Sequence, residues 1–359
     1  MNLIFIWHLF FTGLKNPIKL NFNKCYSSLN KTNSNVNNNN NSSNNDPGKP
    51  NKKPKLDNFI SGFVDAEGSF IVSVLKNASL KCGYTVKPVF QISLHEKDKD
   101  LLYKIQDGLG GIGQVYDRGI NACMYAVFNI KELIKIVEYF DKYPLLTSKR
   151  ADFELFKKVI EMISCKEHLT IEGIKKIIAL KASLNNGLSI DLKKSFSDII
   201  PAIRVKAQIS YRDLKPNWVA GFTEGEGCFN VTIYKSETKI GYAVKLVFII
   251  SQNNRDDLLI RSLVNFFDCG QVNLLQATSS IQFKVTKFSD ITNKIIPFYK
   301  EYPLLGGKAL DFYKFTRVAE LINDKTHLTE EGLEAIRALK ADMNKARLIK
   351  ISKTETSKL

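Results

Sequence analysis

The sequence predicts an α+β protein built from one unit used twice. Three observations carry that reading. A twelve-residue pattern, FISGFVDAEGSF at Phe59–Phe70, returns 159 residues later as WVAGFTEGEGCF at Trp218–Phe229. The same offset returns downstream, where YPLLTSKRADFELFKKV from Tyr143 matches YPLLGGKALDFYKFTRV from Tyr302. KEHLTIEGIKKIIALKA from Lys166 likewise matches KTHLTEEGLEAIRALKA from Lys325. Between these blocks the offset slips by a residue or two, as insertions in loops do. One whole domain has therefore been duplicated, which separates this chain from short-period solenoids.

Each unit reads in the same order. An apolar helix ends near a pair of acids, Asp65 and Glu67 or Glu224 and Glu226. A first strand follows, SFIVSVL or CFNVTIY, with the alternation of a half-buried sheet position. A Gly-Tyr loop leads to a second strand, YTVKPVFQIS or YAVKLVFII. KDKDLLYKIQDGL and RDDLLIRSLVNFF are helical. GQV opens a second hairpin, which MYAVFNI or IQFKVTK closes. Two helices finish the unit, the last beginning at an N-capping threonine, Thr170 or Thr329. The order αββαββαα, written twice, predicts two pseudo-twofold-related units, each with a four-stranded antiparallel sheet. Residues 55–185 form the first repeat, 217–350 the second, and the unmatched 186–216 the linker.

Residues 1–50 belong to neither repeat. Leu3 to Phe11 is mostly apolar but too short to span a bilayer. The first acid is Asp46, and Lys15, Lys19, Lys24 and Lys31 precede it, a balance compatible with a mitochondrial transit peptide. Translated upstream sequence with no folding role is the rival reading. The asparagine-rich tract 33–50 is low in complexity and is expected to be disordered.

Composition narrows the function classes. The 359 residues carry a formal net charge of +16, which points to a polyanion or an anionic membrane as partner. The six cysteines form no CxxC pair and no Cys/His cluster, which argues against zinc. Scattered thiols need no disulfide framework and suit a reducing compartment.

The chemistry is expected at the double acids. Gly62 and Ala66 stand four apart on one helix face, as do Gly221 and Gly225. Small faces of this kind let two helix backbones approach closely, so the two copies should pack across the pseudo-twofold axis with Phe63 and Phe222 turned into their own cores. Glu67 and Glu226 then meet at helix C-termini, where negative charge opposes the helix dipole. A divalent cation reverses that balance, and carboxylates with few other protein ligands suit Mg²⁺. Carboxylates sharing metal at a twofold axis are a layout for phosphodiester hydrolysis. A lone pair of helix-end acids is more often simply solvated; its recurrence beside the same small-residue face tips the balance.

These residues also carry a resemblance. Ile60–Gly68 (ISGFVDAEG) and Val219–Gly227 (VAGFTEGEG) stand in the nine positions of the name motif of the LAGLIDADG homing endonucleases. The similarity covers about residues 55–350. It is strongest to the single-chain, two-repeat enzymes of fungal mitochondrial introns, whose YPL and HLT blocks are present here. The resemblance implies a catalytic metal, Mg²⁺ with Mn²⁺ able to substitute, held by Glu67 and Glu226 and by the backbone carbonyls of Ala66 and Gly225. It implies that Lys149 and Lys308 assist the chemistry and that Gln252 positions water. The first copy has Leu94 at the place of Gln252, so unequal half-sites are expected. His95, His168 and His327 are read as structural or surface residues.

Double-stranded DNA is the expected partner. Two-stranded ribbons fit the major groove, and the outward face of the first unit should carry Ser69, Ile71, Ser73, Leu75, Thr85, Lys87, Val89, Gln91 and Ser93. The second should offer Cys228, Asn230, Thr232, Tyr234 and Lys245. These differ between copies, so a non-palindromic target of roughly eighteen to twenty base pairs is expected for a single-chain monomer. Two alternatives share the scaffold: an RNA maturase that assists splicing of its host intron, and a DNA-binding protein without cleavage. A membrane-surface role is compatible with the charge but explains none of the repeats.

Overall fold

The computed structural model describes residues 56–205 and 209–344. The amino-terminal segment with its targeting and disorder expectations lies outside the described residues. The first repeat runs α1 (Asp57–Glu67), β1 (Gly68–Lys76), β2 (Tyr84–His95), α2 (Lys99–Gly108), β3 (Gln114–Asp117), β4 (Ala122–Val127), α3 (Ile130–Lys142), α4 (Lys149–Ser164) and α5 (Ile171–Ala182). The short helix α6 (Ile190–Ser195) follows. The second repeat runs α7 (Pro216–Glu226), β5 (Gly227–Lys235), β6 (Tyr242–Asn253), α8 (Asp257–Phe267), β7 (Gln271–Leu275) and β8 (Ser280–Val285). It closes with α9 (Phe288–Asp290), a π-helical turn Ile291–Ile295, α10 (Ile296–Glu301), α11 (Lys308–Asn323) and α12 (Glu330–Lys340). Each sheet is antiparallel, with strand orders β1-β2-β4-β3 and β5-β6-β8-β7.

The duplicated α+β class is therefore observed, with one difference from the expected order. Three helical segments, not two, close each unit. The extra one, KELIKIVEYFDK in the first copy, lies directly before the YPLL block and begins at Asn129, whose side chain caps the Lys131 amide at 2.9 Å. Its amphipathic period is clear, with Leu133, Ile134, Ile136, Val137 and Phe140 buried.

Both cores use the same aromatic nucleus. Phe70 lies 5.2–5.7 Å, centroid to centroid, from Phe90, Phe140, Phe153 and Phe156. Phe229 is set at 5.0–5.4 Å from Phe248, Tyr299, Phe312 and Phe315. One substitution inside this nucleus is matched by another. Tyr299 replaces Phe140, and its buried hydroxyl pairs with Thr223 Oγ1 at 2.7 Å, where the first copy has Val64. An added buried polar group has come with its partner.

The repeats meet through α1 and α7. A Cβ on Gly62 would stand 1.9 Å from the Trp218 carbonyl oxygen, and one on Gly221 would stand 1.9 Å from that of Phe59. Only hydrogen fits at either place. Phe63 and Phe222 are buried, as expected. At the far end Thr170 and Thr329 cap α5 and α12, accepting from the Gly173 and Gly332 amides. Cys82, Cys123, Cys228 and Cys269 are free thiols. No helix among the described residues is long and apolar enough to cross a membrane.

Candidate active site

Helices α1 and α7 run directly into strands β1 and β5, so Glu67 and Glu226 sit where helix gives way to sheet. Gly225 rests on Ala66 so closely that a Cβ there would meet the Ala66 Cβ at 2.3 Å and the Glu67 carboxylate at 3.4 Å. The two glutamates are electrostatic neighbours. Burial, and then the charge of Glu67, push the Glu226 carboxyl up to about 7, against the pull of Lys149 and Lys308. Glu67 opens onto solvent but is hemmed in by protein, which raises its carboxyl too, again opposed by Lys149 and Lys308.

The first acid of each pair has a different task. Asp65 is buried and accepts from the Leu146 amide (2.7 Å), the Thr147 amide (3.1 Å), the Thr147 hydroxyl (2.5 Å) and the Trp218 indole (2.9 Å). Glu224 accepts from the Leu305 and Lys308 amides at 2.9 and 3.1 Å. These carboxylates tie the Pro-Leu loops to the helix pair, and in doing so they fix the starts of α4 and α11. Solvated helix-end acids would make no such bonds.

Those helix starts carry the lysines. Lys149 is half-buried, and its ammonium donates to the carbonyls of Val64 (2.9 Å) and Ala66 (3.1 Å) at the C-terminus of α1. Burial draws its pKa down while Asp65, Glu67 and Glu226 hold it up. The Ala66 carbonyl, one of the expected metal ligands, thus receives the lysine here. Lys308 lines a 590 Å³ cavity together with Glu67, Leu94, Asp98, Gly225 and Cys228. Gln252 donates from Nε2 to Glu226 Oε1 at 3.4 Å. The two halves therefore differ in composition: Gln252 stands with Glu226, and Leu94 with Glu67.

Two aspartates that the sequence reading passed over cross between repeats. Asp98 accepts from the Gly307 amide at 2.9 Å. Asp256 accepts from the Ser148 amide at 2.6 Å and its hydroxyl at 3.0 Å. Each latches the start of the lysine-bearing helix of the opposite repeat. Their shared place in the KDKDLL and RDDLL segments was the available signal.

The residues expected to face DNA fall largely on one side of each sheet. In register, Ser69 pairs with Gln91, Ile71 with Val89, Ser73 with Lys87 and Leu75 with Thr85. Ser93 stands opposite Met124 on β4. Thr232 pairs with Lys245, while Cys228, Asn230 and Tyr234 face Ile249, Val247 and Ala243. Phe70, Val72 and Val74 turn inward, as do Phe229 and Val231. Val247, opposite Asn230 on the outward face, is buried at 6% exposure. The outward residues of the second hairpins, Gln114 and Tyr116, and Gln271, Asn273, Gln282 and Lys284, were missed. The alternation in IQFKV, with Ile281, Phe283 and Val285 buried, would have found the last two.

The donor set fits a hard divalent cation. Two carboxylates are at hand, beside an Ala66 carbonyl engaged by Lys149, and among the described residues no group of three or more His, Cys, Asp or Glu side chains could hold a metal. Such a sparse oxygen set suits an ion that keeps most of its water or takes substrate oxygens.

One unit folded twice, with a carboxylate from each copy at the touching ends of two helices, defines a class of duplicated α+β proteins with a shared central site. The model of the LAGLIDADG endonuclease family matches residues 60–160 and again 219–319, and the chain belongs to that family. Members of the family use divalent metal ions. Probable intron-encoded endonuclease 2 of Neurospora crassa is 44% identical over 296 residues, spanning 79% of this chain and 64% of its own length. Probable intron-encoded endonuclease 3 of the same fungus is 38% identical over 280 residues, spanning 78% and 52%. The chain thus spans between half and two thirds of these relatives. Among solved structures, the I-SmaMI LAGLIDADG homing endonuclease bound to cleaved DNA is 41% identical, with a TM-score of 0.79, covering 82% of this chain and 99% of that one. The I-LtrWI LAGLIDADG homing endonuclease bound to target DNA is 42% identical, with a TM-score of 0.78, covering 81% and 98%.

Proposed function

We propose that this chain is a site-specific endonuclease that cuts both strands of a long, non-palindromic DNA target by metal-assisted phosphodiester hydrolysis, with Mg²⁺ as the metal. The observation that carries the proposal is the meeting of Glu67 and Glu226, where burial and then the charge of Glu67 raise Glu226 to about 7. Two carboxylates held together against their own repulsion are poised for a cation. When bound, such an ion supplies positive charge to the phosphate oxygens and eases deprotonation of water.

The remaining residues have their own work. Lys149 and Lys308 bring ammonium charge to where the phosphorane's negative charge would develop. A solved relative carries alanine in place of two lysines, singly and together, and the two positions stand 159 apart, the separation of Lys149 and Lys308. Gln252, already bonded to Glu226, is placed to orient water in one half, where Leu94 offers no such bond in the other. Polar side chains on the outward sheet faces would read base edges, and the net charge of +16 would hold the backbone. The organisation that goes with this function is a first repeat at 55–185, a linker at 186–216 and a second repeat at 217–350. A mitochondrial setting belongs to the same proposal, supported by the fungal, intron-encoded relatives.

The test is a selection followed by a cut. Duplexes are selected from a random pool on the protein in Ca²⁺, and Mg²⁺ is then added. The parent should cleave a single family of sequences. Glu67→Gln and Glu226→Gln should bind that family and lose at least about a hundredfold in cleavage. Selected duplexes that stay intact with the parent in Mg²⁺ would refute the nuclease reading and leave a DNA-binding protein.

A further inference from the structure

The chain between the repeats reaches the Lys149 half of the site through Arg204. Arg204 grips Asp152 with both arms of its guanidinium, Nη1 to Oδ1 at 2.5 Å and Nη2 to Oδ2 at 2.9 Å. The Asp152 side chain is only 10% exposed. The same guanidinium donates to the carbonyl oxygens of Ser183 (3.2 Å) and Ser148 (3.1 Å). Asp152 lies in the first turn of α4, and Ser148 is the residue immediately before Lys149. The amide and hydroxyl of Ser148 are already held by Asp256 of the second repeat. All three polar groups of the residue that precedes Lys149 are therefore engaged, one of them by the connecting chain.

We propose that Arg204 is a positioning residue for cleavage. It fixes the first turn of α4, and through it the Lys149 ammonium against the Val64 and Ala66 carbonyls. The inference rests on the nuclease reading above and adds the linker to the site. A planar guanidinium suits the task because it spans a carboxylate with two bonds while a remaining N–H reaches a carbonyl; an ammonium cannot reproduce that fork. The corresponding helix of the second repeat, α11, is preceded by Gly306 and Gly307, with the Gly307 amide on Asp98. The linker is traversed once, so a clamp borne on it serves one half-site, and the two strands should depend on it unequally.

The experiment uses the full chain and a selected duplex with each strand labelled separately, under single turnover in Mg²⁺. Lys149→Met identifies the strand that Lys149 serves. Arg204→Met should slow that strand by at least about tenfold more than the other, since a misplaced catalytic group costs rate steeply. Arg204→Lys should fall in between, and affinity in Ca²⁺ should hold within about twofold of the parent. Equal slowing of both strands, which a merely structural role would give, overturns the proposal, as does no slowing of either. Hydrogen exchange decides the clamp without any cleavage. Amides from Ser148 to Asp152 should exchange faster in Arg204→Met, and those from Lys308 to Asp311 should not; unchanged exchange at both overturns it. The double variant Arg204→Met, Asp152→Asn avoids stranding a buried carboxylate and should show the same local loosening. A parent that cuts no duplex would sink the nuclease reading, and the exchange result would still stand.

Discussion

Glu226 shows how a single side chain records the purpose of the site. In the metal-free protein its carboxyl is pushed up to about 7 by burial and by Glu67. A carboxyl with a folded pKa above its unfolded value near 4.5 keeps a proton that the unfolded chain has released. Its effect on stability is therefore unfavourable and grows as pH rises from about 4.5 to about 7, staying constant above. Glu226→Gln removes that cost. With chelator present, the variant should be more stable than the parent by roughly 1–2 kcal/mol at pH 8, and the two should converge near pH 4.5, a figure that already allows for partial exposure. Denaturant unfolding at both pH values checks this, and a variant no more stable at pH 8 contradicts it. The position of Glu226 was legible in the sequence because its motif occurs twice. The tasks of Asp65 and Glu224 were not, because nothing in a helix-end acid announces that a loop some eighty residues downstream will fold back onto it.

At the scale of elements, the helix pair leaves no slack. Gly62→Ala sets a methyl group against backbone, not against a movable side chain, so α1 and α7 must separate. A loss of about 2–3 kcal/mol or more is expected, together with loss of cleavage, because the same contact brings the glutamates together. Thermal unfolding measures it, and a variant as stable as the parent would mean that the pair is looser than described. The sheets carry a second prediction. Leu94 and Gln252 occupy the same place at the ends of β2 and β6, so Leu94→Gln should speed the slower-cut strand roughly tenfold and bring the two nicking rates together. Unchanged rates would place the asymmetry elsewhere. Strand pairing was readable from alternation wherever one face is buried, as in Phe70, Val72 and Val74. At Val247 consecutive residues are buried, so burial shows no alternation there, and its pairing with Asn230 is what sets its face. The third closing helix was missed for a related reason: no break in repeat identity marked where it began.

The whole molecule is a chain that has become its own dimer, and what the repeats share was easier to read than what joins them. The offset exposed the paired elements other than the helix before the Pro-Leu block, while Arg204 lies in a stretch with no counterpart, so only the fold could reveal that it meets Asp152 and Ser148. Asp98 and Asp256 reach across in opposite directions and make each half's lysine depend on the other half. The central claim remains that Glu67 and Glu226 together hold the metal. Anomalous scattering from Mn²⁺ in crystals of the protein bound to its selected duplex tests this most directly. The account predicts manganese within coordination distance of both carboxylates in the parent and its loss from that position in the Glu67→Gln, Glu226→Gln double variant. Manganese absent from between these side chains in a crystal whose DNA has been cut would contradict it.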